Sequence, residues 1–236
     1  MIFCAQMRNW GAIPLIAQRG EKAHLGGIEF LLLLLNWTLK MTNILRVESS
    51  IKPAGAVSRR LTDRIMERVL AANPGATVVT RDLSAGVPAI DGAWLGAVFT
   101  PADARNDDQK VTAAYADALL AEVKAADLLV IALPVYNFGV PSQLKSWIDQ
   151  LARKGETFNY TETGPVGLLT GKRAIVAYTS DGTKMGSEID FASGYVRHML
   201  GFFGITDVQF AAADAMAFGP EAAIAKGEAE VDALAA

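Results

Sequence analysis

The sequence predicts an α/β fold with a doubly wound, five-stranded parallel sheet inside a three-layer sandwich. Three observations support this prediction. Short apolar runs alternate with segments of helical period, the strongest strand candidate shows no polar alternation, and 236 residues suffice for one medium domain with a full core. A strand that is apolar along its whole length is typical of a parallel strand covered on both faces. We therefore expect strand order 2-1-3-4-5, with helices on both faces of the sheet.

The strands are expected where short apolar runs are rich in β-branched and other large side chains. The third run, Asp127–Leu133, is the strongest strand candidate in the chain. The runs that we predict as strands are Ile44–Val47, Thr77–Thr80, Asp127–Leu133, Ala174–Tyr178 and Val208–Ala211.

Helices are expected between the strands, where apolar side chains recur every three or four residues. The second helix should bury the face that carries Val111, Tyr115, Leu119 and Val123. Residues 83–108 lack strong periodicity and are predicted as a long connection, and the stretch before the fourth strand is predicted as irregular. The predicted helices follow Ser58, run from about Asp108 to Lys124, open at Pro141-Ser142, pass through Phe191, Tyr195, Met199 and Leu200, and run from about Pro220 to Leu234.

Residues 1–40 differ from the rest and are predicted to be an extension outside the fold, with Met41 as the natural start. Their apolar stretch, Ile28–Trp37, contains Glu29 and Asn36 and is far shorter than the roughly 20 residues of a membrane-spanning helix. No small-residue cleavage site follows the leucine run at 31–35, which disfavours a signal peptide. The predicted domain therefore covers residues 41–236, and no membrane association is expected.

Composition excludes several classes of function. A net charge of -3 provides no basic surface for nucleic acid. One cysteine and two histidines cannot supply a typical zinc site, so no metal is predicted. These features favour a cytoplasmic protein whose chemistry comes from an organic cofactor.

Three loops follow the predicted first, third and fourth strands, whose carboxyl ends meet at the ligand-binding edge of such a sheet. The first, Glu48–Arg59, is rich in serine and precedes a helix, as expected of a monophosphate site. Equally, Ser58 could cap that helix, and this loop alone leaves both interpretations open. The second, Pro134–Ser142, brings two aromatic rings and an amide, and the third, Thr179–Gly186, contains a Ser-Asp-Gly turn. Together they favour a flavin, whereas no G-x-G-x-x-G dinucleotide motif follows the first strand.

These loops, with two further segments, resemble the FMN-dependent NADH:quinone oxidoreductases, also known as NADH-azoreductases, which have a flavodoxin-like fold. The resemblance covers essentially all of residues 41–236. It implies bound FMN and a ping-pong reaction in which NADH or NADPH reduces the flavin, which then reduces a quinone or an azo compound. It also implies a homodimer. The segments that carry it are Glu48–Ser50, Pro134–Phe138 with Pro141–Lys145, Phe158–Leu169 and Gly201–Asp207.

The resemblance also implies which residues contact FMN, and it implies no catalytic side chain because the chemistry takes place on the flavin. Tyr160 and Phe202 match aromatic residues that shape the substrate pocket in relatives, partly across the dimer interface. The implied phosphate contacts are Ser50, Ala56, Val57 and Ser58. The implied contacts of the flavin ring are Val135, Tyr136, Asn137 and Phe138, with Ser180, Asp181, Gly182 and Thr183.

Three departures from the family pattern leave questions open. Relatives often have serine where Ala56 stands, methionine at Val135, and Ser-Arg-Gly-Gly at residues 180–183. Asp181 would place negative charge near the flavin, so the redox potential and the choice between NADH and NADPH are not fixed by the sequence. Two alternatives stay open: a one-electron carrier of the flavodoxin type, and an NAD(P)H:FMN reductase that releases reduced flavin.

Overall fold

A computed structural model describes residues 42–52 and 54–234 of the chain. The predicted extension, residues 1–40, lies outside this described part. The strands are β1 (Asn43–Glu48), β2 (Thr77–Asp82), β3 (Leu128–Pro134), β4 (Phe158–Thr161), β5 (Gly164–Gly167), β6 (Arg173–Thr179) and β7 (Asp207–Ala213). The helices are α1 (Val57–Ala72), α2 (Gly92–Phe99), α3 (Asp107–Ala125), α4 (Ser142–Leu151), α5 (Ser193–Phe203) and α6 (Pro220–Ala233), with short 3₁₀ segments at Ala102–Ala104 and Met216–Phe218.

Five parallel strands form the main sheet in the order β2-β1-β3-β6-β7. This is the predicted topology, because the two additional strands, β4 and β5, pair only with each other in the described structure. The predicted fold class is therefore confirmed. Among the described helices, none is both long enough and apolar enough to cross a membrane.

Burial of β3 explains why helices cover both faces of the sheet. All seven residues of this strand are buried, as its unbroken apolar sequence predicts. Successive side chains point to opposite faces, so Leu129 and Ile131 pack with α3, α4 and α5, while Leu128 and Val130 pack with α1 and α6. The result is the three-layer sandwich expected from the sequence.

The predicted long connection, residues 83–108, contains a helix that the sequence analysis missed. Asp91 caps this helix, α2, by accepting a hydrogen bond from the Trp94 backbone N–H at 2.7 Å. The Trp94 indole N–H donates to Gln150 on α4 at 2.6 Å. Leu95 and Phe99 are 51% and 67% exposed, so the apolar residues of α2 do not form one buried face. Because apolar side chains lie on more than one face of α2, they do not recur at helical spacing in the sequence, and the helix could not be recognised there.

The stretch predicted as irregular before β6 is a β-hairpin formed by β4 and β5. Each strand has four residues, and β5 has the sequence Gly-Pro-Val-Gly. Strands this short, with glycine and proline, carry too little β-propensity to be recognised. Gly167 at the end of β5 packs directly against the backbone of Gly204 after α5.

Two expectations about helix faces were wrong. Val111 is 78% exposed, because the buried face of α3 runs through Ala113 and Ala116. Phe191 is 66% exposed and precedes α5, which begins at Ser193. The Asp190 carboxylate accepts the backbone N–H groups of residues 192 and 193 at 3.0 Å and so defines the start of this helix.

We predict that Gly167→Ala destabilises the fold. An added Cβ would lie 2.1 Å from the backbone nitrogen of Gly204 and 2.4 Å from its Cα, and backbone atoms cannot rotate away. Overpacking of this kind costs about 1–3 kcal/mol, measurable as a lower midpoint in urea. The control is Gly201→Ala in α5, where an added Cβ meets nothing within 4 Å. Alanine should be neutral or stabilising there, and equal losses for both variants would contradict the proposed close approach.

Candidate active site

The loops after β1, β3 and β6 meet at one edge of the sheet, because these three strands are neighbours and parallel. A cavity of about 1110 Å³ lies there. It brings together eight of the predicted flavin contacts, residues 135–138 and 180–183. Ser50 and residues 56–58 do not line it, but Ile51 does and connects it to the β1 loop.

The β1 loop ends at the N-terminus of α1, where Ala56 is the N-cap and makes no side-chain hydrogen bond. The alternative interpretation of Ser58 as the helix cap is therefore wrong, since Ser58 is the second residue of the helix. Its hydroxyl is buried and has no hydrogen-bond partner within the described structure. A buried hydroxyl without a partner is costly, and the unpaired N–H groups of a helix start attract anions. Both features suit the phosphate of FMN.

Tyr136 holds the β1 loop and the β3 loop together. Its hydroxyl accepts a hydrogen bond from the Ile51 backbone N–H at 3.2 Å and lies 3.4 Å from Ser50 Oγ. Ser50 Oγ in turn accepts the Lys52 N–H at 3.2 Å. Ser49 is anchored below, where its hydroxyl donates to the carbonyl of Ala132 in β3 at 2.7 Å. The serine-rich loop is therefore fixed from two sides.

Asn137 and Phe138 form a tight turn with an unusual backbone. Their φ angles are 49° and 68°, and Tyr136 and Gly139 exchange backbone hydrogen bonds of 3.1 Å and 3.0 Å across the turn. Two consecutive residues with positive φ are typical of a type I′ turn, a conformation that asparagine tolerates and phenylalanine does not favour. Such strain costs about 1–3 kcal/mol per residue and occurs mostly at functional sites. Both side chains are exposed at the cavity.

The β6 loop is fixed by its own hydroxyls. Ser180 donates a short hydrogen bond to the carbonyl of Thr183, and Ser180 Oγ accepts the Ala215 N–H at 3.2 Å. Both Ser180 and Thr183 are buried, whereas Asp181 and Gly182 are exposed at the cavity. The Asp181 carboxylate makes no hydrogen bond or ion pair with other described residues. This loop therefore presents a free negative charge on a fixed backbone.

Eight further cavity residues were not among the predicted flavin contacts, and half of them come from α4 and α5. Lys145 donates to both carboxylate oxygens of Asp149 at 2.6 Å and 2.7 Å. Tyr195 faces the same cavity, and burial raises the pKa of its hydroxyl despite the nearby Lys145. The rule that ligands bind at the carboxyl ends of parallel strands points to the loops there. It therefore misses side chains that helices bring to the same edge. The additional lining residues are Ile51, Gly139, Val140, Ser142, Gln143, Lys145, Phe191 and Tyr195.

Tyr160 and Phe202, the predicted substrate-pocket aromatics, lie outside this cavity. They belong to an aromatic cluster at the hairpin, in which the Phe158 ring centroid lies 5.5 Å from that of Tyr160 and 4.5 Å from that of Phe202. Tyr160 is 62% exposed. Within a single chain, then, the structure does not bring these two side chains to the flavin loops.

Comparisons with known proteins agree with this geometry. The family described as having a flavodoxin-like fold matches residues 42–236. An FMN-dependent NADH:quinone oxidoreductase from Cereibacter sphaeroides (strain KD131) is 66% identical over 196 residues, covering 83% of this chain and all of the relative. A protein of the same name, numbered 1, from Jannaschia sp. (strain CCS1) is 55% identical over the same shares.

Solved structures give the same result. An FMN-dependent NADH-azoreductase from Bacillus anthracis str. Ames Ancestor, in complex with FMN, superposes with a TM-score of 0.74 at 30% identity and covers 82% of this chain and 97% of its own. The family predicted from the loops is confirmed. The chain belongs to the FMN-dependent NADH:quinone oxidoreductases, within the family with a flavodoxin-like fold.

Proposed function

We propose that the chain is an FMN-dependent enzyme that takes two electrons from NADH and reduces quinones or cleaves aromatic azo compounds. The observation that carries this proposal is the convergence of three predicted flavin loops on one cavity in a chain 66% identical to an enzyme named for this activity. The cavity, at about 1110 Å³, slightly exceeds the range of about 300–1000 Å³ typical of ligand sites. That leaves room for a second ligand beside the flavin.

The phosphate end of FMN is assigned to the start of α1. Ser58 has a hydroxyl that needs a partner, and the backbone N–H groups of Ala56, Val57 and Ser58 stand at the helix N-terminus. Ser50 is buried in the same loop and held in position through Tyr136. These donors suit a dianion, and no metal is needed to hold it.

The flavin ring is assigned to the two loops that face each other across the cavity. The strained turn at residues 137–138 presents an amide and an aromatic ring, and the β6 loop presents Asp181 and Gly182. A site that is already in its binding conformation loses little entropy when the ligand binds. The backbone strain at Phe138 is explained if the flavin ring requires this conformation of the turn.

Bound FMN supplies the redox chemistry, accepting hydride equivalents from NADH and passing two electrons to the acceptor. The protein's residues bind, orient and shield it. Tyr195 lines the cavity, and its hydroxyl carries a proton at neutral pH, as tyrosine ordinarily does, so it is available as a hydrogen-bond donor. We place the reaction in the cytoplasm, where NADH is available to the enzyme.

The anaerobic reaction with NADH tests this function. We expect purified protein to carry a bound-flavin absorption band that NADH bleaches and that a quinone then restores, one flavin oxidised per quinone. A stable semiquinone on photoreduction would instead indicate a one-electron carrier. Loss of the flavin on gel filtration after reduction would indicate an NAD(P)H:FMN reductase.

We predict that Ser58→Ala weakens FMN binding without weakening the fold. Hydrogen bonds to charged groups contribute about 1.5–3 kcal/mol, which corresponds to at least about a tenfold increase in Kd. Riboflavin, which lacks the phosphate, should bind both proteins equally. Because the hydroxyl has no partner in the described structure, the flavin-free variant should unfold at the same urea concentration or a higher one.

Ser84→Ala, outside the cavity, is the matched control and should leave both affinities unchanged. If Ser58→Ala weakened FMN and riboflavin alike, Ser58 would support the loop and not the phosphate.

We further propose that the chain forms a homodimer through the hairpin face. This face combines exposed Tyr160, Val166 and Leu168 with the aromatic cluster around Phe158 and Phe202. Exposed apolar patches on soluble proteins mark interaction sites. A second copy packed here would also supply Tyr160 and Phe202 to a substrate pocket that one chain leaves without them.

Sedimentation velocity tests the dimer. The protein should sediment as a dimer, and Val166→Glu should shift it toward monomer and lower its activity on dilution. Val78→Glu, at a valine of similar exposure on β2, is the control and should leave assembly intact. A fully active monomer, or equal effects of the two variants, would refute the proposed interface.

A further inference from the structure

A second cavity, of about 480 Å³, lies away from the flavin loops and shares no lining residue with them. It is bounded by the segment after α2, by one face of α3 and by the segment after α4. The proposed function uses none of these residues, so the character of this cavity needs its own explanation.

Two buried arginines define the cavity. The side chains of Arg105 and Arg153 are 5% and 8% exposed. Both donate to the same carboxylate: Arg105 Nη1 lies 2.7 Å from Asp117 Oδ2, and Arg153 Nη1 lies 2.5 Å from Asp117 Oδ1. Burial raises the pKa of Asp117, but the hydrogen bonds and charges of the two arginines outweigh it, so the pKa lies below its usual value. Even fully ionised, one carboxylate balances only one of the two guanidinium groups.

The neighbouring charges do not remove this imbalance. Lys124 and Glu156 pair with each other, and Lys154 has no ion-pair partner within the described structure. Arg105 uses its Nε for the carbonyl of Thr100 at 3.1 Å, whereas Arg153 Nε is buried with no hydrogen-bond partner in the described chain. The cavity wall therefore carries two more positive than negative charges, and part of this charge is removed from water. Buried charge without a counter-charge is costly, so a bound anion would stabilise it.

Apart from Thr100, the uncharged part of the wall is apolar. Val98, Phe99, Pro101 and Leu120 face the same space, and Phe99 is 67% exposed. Guanidinium groups match a carboxylate through paired hydrogen bonds, and apolar walls favour a ligand with a hydrophobic body.

We propose that this cavity is a second binding site, for a small organic anion with a carboxylate at the arginines and an apolar body against residues 98–101. It does not depend on the proposed flavin chemistry.

NMR titration of the FMN-loaded protein tests this site, with benzoate as the probe. Amide shifts at Phe99, Arg105 and Lys154 should move together and saturate, while the flavin absorption spectrum stays unchanged. Benzamide, the neutral analogue, and inorganic phosphate, the anion without an apolar body, should each bind at least tenfold more weakly. Phosphate binding as tightly as benzoate would refute the proposed ligand class. No saturable shift with benzoate would overturn the site itself.

Variants separate a ligand site from a purely structural ion cluster. Lys154→Met removes an exposed charge that pairs with nothing in the described structure, so the fold should be unaffected while benzoate binds several-fold more weakly. Arg153→Lys keeps the charge but loses the paired N–H donors of the planar guanidinium group, so it should weaken benzoate binding at least tenfold. Arg60→Met, which breaks an exposed pair with Glu228 on the other side of the sheet, is the control and should change nothing. Benzoate affinity that is the same in all four proteins would contradict the proposal.

Discussion

Burial of β3 between two helical layers determines where the active site lies. Because all seven of its residues are buried, this strand must sit in the middle of the sheet, with β1 on one side and β6 on the other. Parallel pairing then places the carboxyl ends of these three strands at one edge. The loops that follow them are brought together by the sheet, although 74 residues, 60–133, lie between the β1 loop and the β3 loop. The cavity is a consequence of strand order.

The site also contains backbone conformations and a buried hydroxyl that destabilise the fold when no ligand is bound. Asn137 and Phe138 hold positive φ angles, and Ser58 buries a hydroxyl that no other described residue satisfies. Each feature costs stability in the free protein. The proposed FMN complex would offset both costs, with the flavin ring against the turn and the phosphate at the start of α1. The β6 loop, in contrast, satisfies its own hydroxyls and presents only Asp181 and Gly182. In the proposed complex, Asp181 would place a negative charge beside the flavin, and that charge would disfavour added electron density on the ring.

The parts of this account that the sequence predicts are those that depend on local pattern. The apolar run of β3 predicts the parallel sheet, and the loops after β3 and β6 contribute the eight predicted contacts that line the cavity. What it does not predict depends on packing between distant segments. Lys145 and Tyr195 reach the cavity because of how α4 and α5 rotate against the sheet, and β4 and β5 are recognisable only once paired. The role of Ser58 stayed open because the N-cap of α1 is Ala56, a residue type that rarely caps helices.

The central claim is that one FMN molecule bridges all three strand-end loops. A crystal structure of the FMN complex tests it most directly. We expect the phosphate to accept a hydrogen bond from Ser58 Oγ, at the usual O–H···O distance of about 2.5–3.0 Å, with the ring between residues 135–138 and 180–183. The turn at Asn137 and Phe138 should keep its positive φ angles. A flavin bound elsewhere, or a phosphate that leaves the Ser58 hydroxyl without a partner, would contradict the account.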